Sequence, residues 1–259
     1  MIEGLARLTD MAESGLASFV LVFMRIGAVM FLLPGFGDNS IPQRVRLALT
    51  FAFALVVWPM IAPTLDPPSP ERPLFFQMII EACAGLLLGL SLRLMIFALQ
   101  FAGSVAAQST SLAQIFGSGV APDPMPAIGN LMMLAGVALA VTTGLHVKVA
   151  ILLARSYEIL PLGLPIPSQD VATWGTARVG AAFALGFSLA APFVLTAFAY
   201  NVALGAINRA MPTLMVAFIG APAIVGASIL LLLLASPLML TFWNARLDDV
   251  IMNPLAVPR

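Results

Sequence analysis

The sequence predicts an all-α integral membrane protein with about six long apolar helices arranged in hairpins. Of its 259 residues, 61% are hydrophobic and only 9% are charged, whereas charged residues make up about a quarter of an ordinary soluble domain. Apolar runs recur at the length of about 20 residues that an α-helix needs to cross a bilayer. Short segments rich in proline and glycine separate these runs, as is typical of turns between helices.

The first half of the chain contains three predicted spans. The first covers residues 15–33 and ends at Pro34, after an N-terminal tail of residues 1–14. The second covers roughly 47–63, after a start signal in which Ser40 caps the helix and Pro42 lies in its first turn. A third, longer helix covers 74–108.

Helix-breaking residues also divide the second half of the chain into separate predicted helices. One helix is predicted over residues 127–155, followed by an extramembrane loop at 156–172. The apolar region 173–243 is long enough for two spans, joined near residues 208–212. Residues 244–259 are predicted to form a polar C-terminal tail.

Some charged residues lie well inside predicted spans, among them Arg25, Glu81 and Arg93. Arg25 must face protein, water or a headgroup, because a guanidinium is costly in lipid. Its role is either a hydrogen bond to a neighbouring helix or participation in transport. Glu81 and Arg93 stand about 18 Å apart along one helix and about 120° around it. These two residues therefore cannot pair with each other, and each needs a partner elsewhere.

A GxxxG pattern lies near these charges, at Gly85 and Gly89. In membrane helices this spacing lets a second backbone approach closely. The pattern is weak evidence by itself, because glycine is common in such helices.

Composition also excludes several classes of function. The chain has twelve basic and twelve acidic residues. It therefore lacks the excess of positive charge that is typical of proteins that bind nucleic acid. One cysteine and one histidine cannot form an internal disulfide or a zinc cluster. The sequence has no nucleotide-binding loop and no hydrolase or metalloprotease motif. We therefore expect a protein that is not an enzyme and that binds no metal and no cofactor.

The central stretch 103–125, GSVAAQSTSLAQIFGSGVAPDPM, differs from the apolar runs on both sides. Its small and hydroxyl residues would leave backbone groups unpaired in hydrocarbon, so at membrane depth it must be buried in protein or border water. Two interpretations remain open from composition. It is either a connecting loop on the solvent side, or a segment whose few large apolar residues block an aqueous path.

Several motifs appear in a characteristic order along nearly the whole chain. Arg25 and Pro34 precede SIPQRVRL at 40–47, and DP at 123–124 precedes GLH at 144–146. The most specific part is Pro192 with NVALGAINRAMP at 201–212 and FIGAP at 218–222. Together these stretches resemble the FliR family of flagellar export-gate proteins, whose virulence-secretion relatives (SctT-like) belong to the same family.

This resemblance implies a function that composition does not show. Members of the family are subunits of the type III secretion export gate, together with P-type and Q-type subunits (FliP and FliQ). The gate passes unfolded flagellar subunits across the bacterial inner membrane at the flagellar basal body, while energy coupling resides in other components. The family chain is similar to a P-type subunit fused to a Q-type subunit, which implies one FliR-like membrane domain over 1–259. Further implied partners are FlhA and FlhB, the latter near the tail from Arg246 onward, and membrane lipid.

The resemblance also assigns roles to residues. It implies that the central stretch is an inward plug that closes the pore, with Gly103, Gln108, Leu112, Ile115, Phe116, Gly117 and Gly119 as its candidate residues. Structural or subunit contacts are implied at Arg25, Pro42, Arg44, Arg46, Asp123, Pro124, His146, Asn201, Gly205, Asn208, Arg209 and Pro212. For Arg44 and Arg46, an interfacial position near anionic headgroups is an equal alternative.

Two departures from the family pattern concern packing. Gln108 is followed by Ser109 and Thr110, where the family usually has Met and Gly. After Pro212 the chain has Thr213 and Met215, where amides are common in the family.

A different class of protein also fits the charges in the spans. A small secondary transporter would use Glu81, Arg93 and Lys148 as coupling or substrate residues in interrupted helices. No clear internal repeat between the two halves supports this alternative.

Overall fold

The computed structural model describes residues 2–37, 41–69, 71–109, 127–211 and 216–256. In this part of the chain the secondary structure is helical, without a β-strand, which confirms the predicted fold class. A short 3₁₀ turn at Ala62–Thr64 follows the second helix. The seven α-helices of these residues are α1 (Ile2–Leu32), α2 (Gln43–Ile61), α3 (Leu74–Ser109), α4 (Ala127–Thr142), α5 (Leu145–Ile159), α6 (Ser168–Ala210) and α7 (Val216–Met252).

Five stretches of the described residues are long and apolar enough to cross a membrane. A sixth span results if α4 and α5 are counted together as one broken span. This number agrees with the prediction of about six helices. The five stretches are Ala12–Leu32, Gln43–Thr64, Leu74–Ser109, Ser168–Ile207 and Gly226–Met252.

Several helices extend beyond their predicted ends. Helix α1 already includes the described residues of the predicted N-terminal tail, and α2 begins four residues early, at Gln43. Pro42 occupies the N-cap position of α2 with an extended backbone (φ −57°, ψ 139°), which agrees with the restricted φ of proline. The predicted cap, Ser40, lies outside the described residues. Helix α7 continues to Met252 and so includes the first part of the predicted C-terminal tail.

The prediction of one helix over 127–155 is wrong. The chain forms two helices, α4 and α5, and the break lies at Thr143 and Gly144. Gly144 has φ +86°, a left-handed conformation that glycine adopts without steric cost. Helix α5 then continues to Ile159, so the loop before α6 is shorter than predicted.

The chain divides into two compact units. Unit 1 comprises residues Met1–Leu94, Val141–Arg178 and Leu247–Arg259, and unit 2 comprises Met95–Ala140 and Val179–Arg246. Each unit has its own buried side chains. The fully buried residues include Leu21, Ile26 and Leu88 in unit 1, and Leu99, Phe193 and Trp243 in unit 2.

Within unit 1, α1 and α3 pack closely at the GxxxG pattern. A Cβ atom added to Gly85 would overlap the carbonyl oxygen of Arg25 and lie 2.8 Å from the Cβ of Ala28. A Cβ on Gly89 would lie 2.9 Å from the Cβ of Leu32. Only glycine allows this approach, so the prediction that the pattern marks a close helix contact is confirmed.

Within unit 2, aromatic and small side chains form the packing. Phe97 and Phe101 stack within α3, with ring centroids 6.2 Å apart. They make edge-to-face pairs with Phe183 and Phe187 of α6, with ring centroids 4.9–5.4 Å apart. The indole nitrogen of Trp243, on α7, donates a 2.8 Å hydrogen bond to the carbonyl oxygen of Met95 on α3.

Much of the apolar surface of the spans is exposed in the single chain. In α7, Leu233, Leu234 and Leu238 are 69%, 69% and 74% exposed. Such a surface requires lipid or partner helices to cover it, as expected for helices rich in small residues.

Candidate functional site

A buried ion pair joins α1 and α3 inside unit 1. The Nε of Arg25 donates to Glu81 Oε2 at 2.7 Å, and its Nη2 donates to Glu81 Oε1 at 3.1 Å. Arg25 is 1% exposed and Glu81 is 0% exposed. The pair is bidentate, which is the strong arrangement of guanidinium and carboxylate. The structure therefore confirms that Arg25 faces protein and hydrogen-bonds to a neighbouring helix.

The same two side chains also bind the end of α5 and the loop that follows it. Arg25 donates from Nη1 to Ser156 Oγ at 3.1 Å and from Nη2 to the carbonyl oxygen of Leu160 at 2.8 Å. Glu81 Oε1 accepts from the backbone N–H of Gly163 at 2.8 Å. The guanidinium also lies 3.8 Å from the centre of the Tyr157 ring, within range of a cation–π interaction.

The loop before α3 contacts the loop that contains Gly163. Arg72, in the loop before α3, donates to the carbonyl oxygen of Gly163 at 2.9 Å. Gln77 Nε2 donates to the carbonyl oxygens of Ser69 and Arg72 at 2.9 and 3.0 Å. Gly163 has φ +69°, and an added Cβ would lie 2.7 Å from Gln77 Oε1. The loops at 66–73 and 160–167 are thus tied together at one end of unit 1.

This arrangement has the chemistry of a structural tie. Both charges are compensated, and the remaining polar contacts of the pair are to a hydroxyl and to backbone groups. Removing either partner would leave the other as an uncompensated buried charge, which strongly destabilises a folded protein. We call this set of contacts the Arg25–Glu81 centre.

The C-terminal end of α7 and the residues after it are also bound within unit 1. Leu247, Val250 and Ile251 are buried at the end of α7 (3%, 9% and 2% exposed). Lys148 Nζ lies 2.6 Å from Asp248 Oδ1 in a partly exposed ion pair.

Two side chains of α6 hold the backbone that follows α7. Trp174 Nε1 donates to the carbonyl oxygen of Pro254 at 3.1 Å, and Arg178 Nη2 donates to those of Asn253 and Pro254 at 2.7 and 2.9 Å. The described residues after Arg246 are therefore an integral part of unit 1.

In unit 2, helices α3 and α4 lie on either side of the polar central stretch and touch each other. A Cβ on Gly103 would overlap the Cα of Gly129, so the two backbones are in direct contact. Gln100 Nε2 lies 2.8 Å from the sulfur of Met133. The end of α3 and the start of α4, which precede and follow residues 110–126 in the sequence, are thus paired as a helical hairpin.

The structure describes only part of the predicted plug. Gly103 is buried in α3, and Gln108 is exposed near the end of that helix. Leu112, Ile115, Phe116, Gly117 and Gly119 lie outside the described residues. Their assignment to a plug stays a prediction.

The other predicted contact residues are distributed over several elements. Arg44 is exposed in the first turn of α2, and the guanidinium carbon of Arg46 lies 5.6 Å from the centre of the Phe31 ring. His146 is exposed at the start of α5. Asn201, Gly205 and Arg209 are exposed on α6. Asn208 also lies in α6, while Asp123, Pro124 and Pro212 are outside the described residues.

Sequence reasoning misses several members of the Arg25–Glu81 centre. Ser156, Leu160 and Gly163 lie in the segment 156–172, whose prolines and glycines are typical of an extramembrane loop. It also misses the ties that Trp174 and Arg178 make to the residues after α7. The sequence signal for this centre is Glu81, an acidic residue inside a predicted span. It requires a hydrogen-bond donor, but the sequence does not indicate which residue supplies it.

The fold and its buried polar centre define a multi-pass helical membrane protein. The chain belongs to the family described as bacterial export proteins, family 1, whose sequence pattern matches residues 16–250. The predicted membership of the FliR-like family is thereby confirmed.

The curated relatives bear one common name, flagellar biosynthetic protein FliR. The protein of this name from Caulobacter vibrioides is 32% identical over 237 residues, which cover 89% of this chain and 93% of the relative. Those from Aquifex aeolicus and Bacillus subtilis are 29% identical over 247 residues and 27% identical over 224 residues. The matches cover 92% and 83% of this chain, and 92% and 85% of these relatives.

Proposed function

We propose that this chain is a structural and gating subunit of the flagellar type III protein export gate. It helps to form and to close the channel through which unfolded flagellar subunits pass during flagellum assembly. Its place is the bacterial inner membrane at the flagellar basal body. Family membership over residues 16–250 and the FliR relatives support the export role. The gating role rests on the hairpin of α3 and α4.

The hairpin carries the gating proposal because of what lies at its turn. Helix α3 ends at Ser109, α4 begins at Ala127, and the two helices are in backbone contact at Gly103 and Gly129. The polar stretch between them is therefore held at both ends by one hairpin. A polar loop at membrane depth must border water or protein, and Leu112, Ile115 and Phe116 give it an apolar part that can seal a pore.

The remaining parts of the chain serve assembly in this proposal. The exposed apolar faces of α6 and α7 are covered by P-type and Q-type subunits or by lipid. Helices packed by small residues gain stability from such partners rather than from burial in the single chain. Contacts with FlhA, FlhB and the unfolded export substrates belong to the assembled gate. No catalytic step and no cofactor enter the proposal.

The transporter alternative receives no support from the geometry. Glu81, which a transporter would use for coupling, is bound by Arg25 and by the N–H of Gly163. Lys148 is paired with Asp248. Two of the three residues that this alternative requires are therefore engaged in ties within the chain.

Purification of the tagged chain in mild detergent tests the proposed role. We expect a large complex that contains two other small membrane proteins, with this chain present in one copy by intact-mass measurement. A matched control is a tagged variant with Gly85 replaced by leucine, which disrupts the close packing of α1 and α3 and should recover less complex. Recovery of a stable monomer or homodimer from cells that express the partner subunits would contradict the proposal.

A further inference from the structure

An apolar cavity lies within unit 1, beside the loop that follows α5. Its volume is about 520 Å³, in the range of about 300–1,000 Å³ that is typical of sites for small molecules. Apolar side chains form most of its wall, and they include Ile159, Leu164, Ile166, Trp174 and Leu255. Among the described residues that line the cavity, the charged one is Asp170, in the first turn of α6. The cavity thus combines an apolar wall with one carboxylate.

The loop on one side of the cavity is suited to contact with hydrocarbon. Residues 159–167 read ILPLGLPIP, without a polar side chain, and the three prolines have no backbone N–H that would need an acceptor in lipid. The Arg25–Glu81 centre binds the carbonyl oxygen of Leu160 and the N–H of Gly163, which fixes the loop in place. Ile159 and Leu164 are nevertheless 52% and 50% exposed in the single chain. Since apolar surface is stabilised by removal from water, we expect an occupant with an apolar part.

The cavity lies where two spans end. The apolar stretch of α6 begins at Ser168, and that of α7 ends at Met252. Trp174, in the second turn of α6, donates from its indole nitrogen to the carbonyl oxygen of Pro254, two residues after α7. The two span ends are therefore at the same level. Ends of spans lie among the lipid headgroups, where tryptophan is also enriched. At this depth the headgroup of a phospholipid joins its acyl chains.

The carboxylate of Asp170 determines which headgroup fits. Its side chain is exposed, and it forms no ion pair with another described residue. A carboxylate attracts an ammonium group and repels a headgroup with a net negative charge. We propose that the cavity binds a phospholipid with an ethanolamine headgroup, whose ammonium group pairs with Asp170 and whose acyl chain lies against Leu164 and Trp174. This site is independent of the gating role proposed above.

Photo-crosslinking in a native membrane tests the proposal. The full chain, with p-benzoylphenylalanine in place of Leu164, is produced in bacterial cells whose membranes contain both phosphatidylethanolamine and phosphatidylglycerol. After irradiation, mass spectrometry of the purified chain identifies the adducts. The matched control carries the same photoreactive residue in place of Leu233, which is 69% exposed on α7 and does not line the cavity. If the chain with the probe at 164 does not accumulate, the probe replaces Ile159 instead.

We expect the ratio of ethanolamine to glycerol lipid in the adduct at the cavity to exceed that at position 233 by about two- to fivefold. This is the range that an exposed ion pair provides. Asp170→Asn should reduce the ratio to that at 233, and Asp170→Glu should keep the enrichment. An aspartate in the first turn of a helix also stabilises the helix dipole, but that role alone would not change which lipid is captured.

Three results overturn the inference. The first is an equal lipid ratio at the cavity and at position 233 in the chain that retains Asp170. The second is an enrichment that Asp170→Asn leaves unchanged. The third is the absence of a lipid adduct at the cavity when position 233 yields one; a protein adduct in its place would identify the cavity as a contact with another subunit.

Discussion

Replacing Arg25 with alanine should strongly reduce the amount of folded protein in the membrane. The substitution leaves Glu81 as a buried carboxylate without its cation, and it also removes the bond to the carbonyl oxygen of Leu160. Breaking one side of a buried ion pair costs about 3–5 kcal/mol, a large part of a typical total stability of about 5–15 kcal/mol. Quantitative immunoblotting of membrane fractions and thermal unfolding in detergent measure the effect.

Two further variants separate the charge effect from loss of packing. In the double variant Arg25→Met with Glu81→Gln, no uncompensated charge remains, and the new amide oxygen can still accept from the N–H of Gly163. We expect this variant to unfold at a higher temperature than Arg25→Ala. Arg44→Ala, at an exposed position of α2, is the control for loss of an arginine and should change stability by less than about 0.5 kcal/mol. Equal unfolding temperatures for Arg25→Ala and Arg44→Ala would contradict the structural role of the pair.

Replacing Gly85 with alanine should also be strongly destabilising, although it adds only one methyl group. The new Cβ overlaps the backbone carbonyl oxygen of Arg25, so α1 and α3 must move apart. Glu81 lies one turn before Gly85 on α3, and the same movement therefore stretches the ion pair. Overpacking of this kind costs about 1–3 kcal/mol, and the strained pair adds to that cost.

Gly175 provides a matched control, because it also lies inside a long apolar helix. A Cβ at this position meets nothing within 4 Å. Alanine there should be neutral or stabilising by up to about 1 kcal/mol, since alanine has the higher helix propensity. The unfolding temperatures of the two variants show whether only Gly85→Ala is destabilising. If Gly85→Ala and Gly175→Ala unfold at the same temperature, α1 and α3 are not in the described contact.

The sequence is sufficient for those parts of the fold that depend on local composition. Apolar runs and proline-rich breaks predict most of the spans, and Gly85 and Gly89 predict a close helix contact. Helix geometry also shows that Glu81 needs a partner outside its own helix. That partner, Arg25, is 56 residues away, and only the packing of α1 on α3 brings the two together.

Other features depend on tertiary contacts that leave little trace in a single sequence. Gly144 breaks the helix predicted over 127–155, yet its left-handed backbone cannot be told from the other helical glycines by composition. Ser156 and Gly163 lie in a segment whose composition is typical of a loop. Their bonds to Arg25 and Glu81 join distant parts of the chain, so the local sequence gives no sign of them. The polar residues at the end of α7 predict a tail, whereas the burial of Leu247 and Ile251 makes this end part of unit 1.

The most direct test of the gating proposal is the ion conductance of the purified complex after removal of the loop that α3 and α4 hold. Deletion of residues 110–122 leaves both helices of the hairpin in place. The complex with the full chain, reconstituted in planar bilayers, should be closed to small ions, and the complex with the deletion should conduct. A deletion complex of unchanged composition that remains closed would contradict the assignment of this loop as the plug.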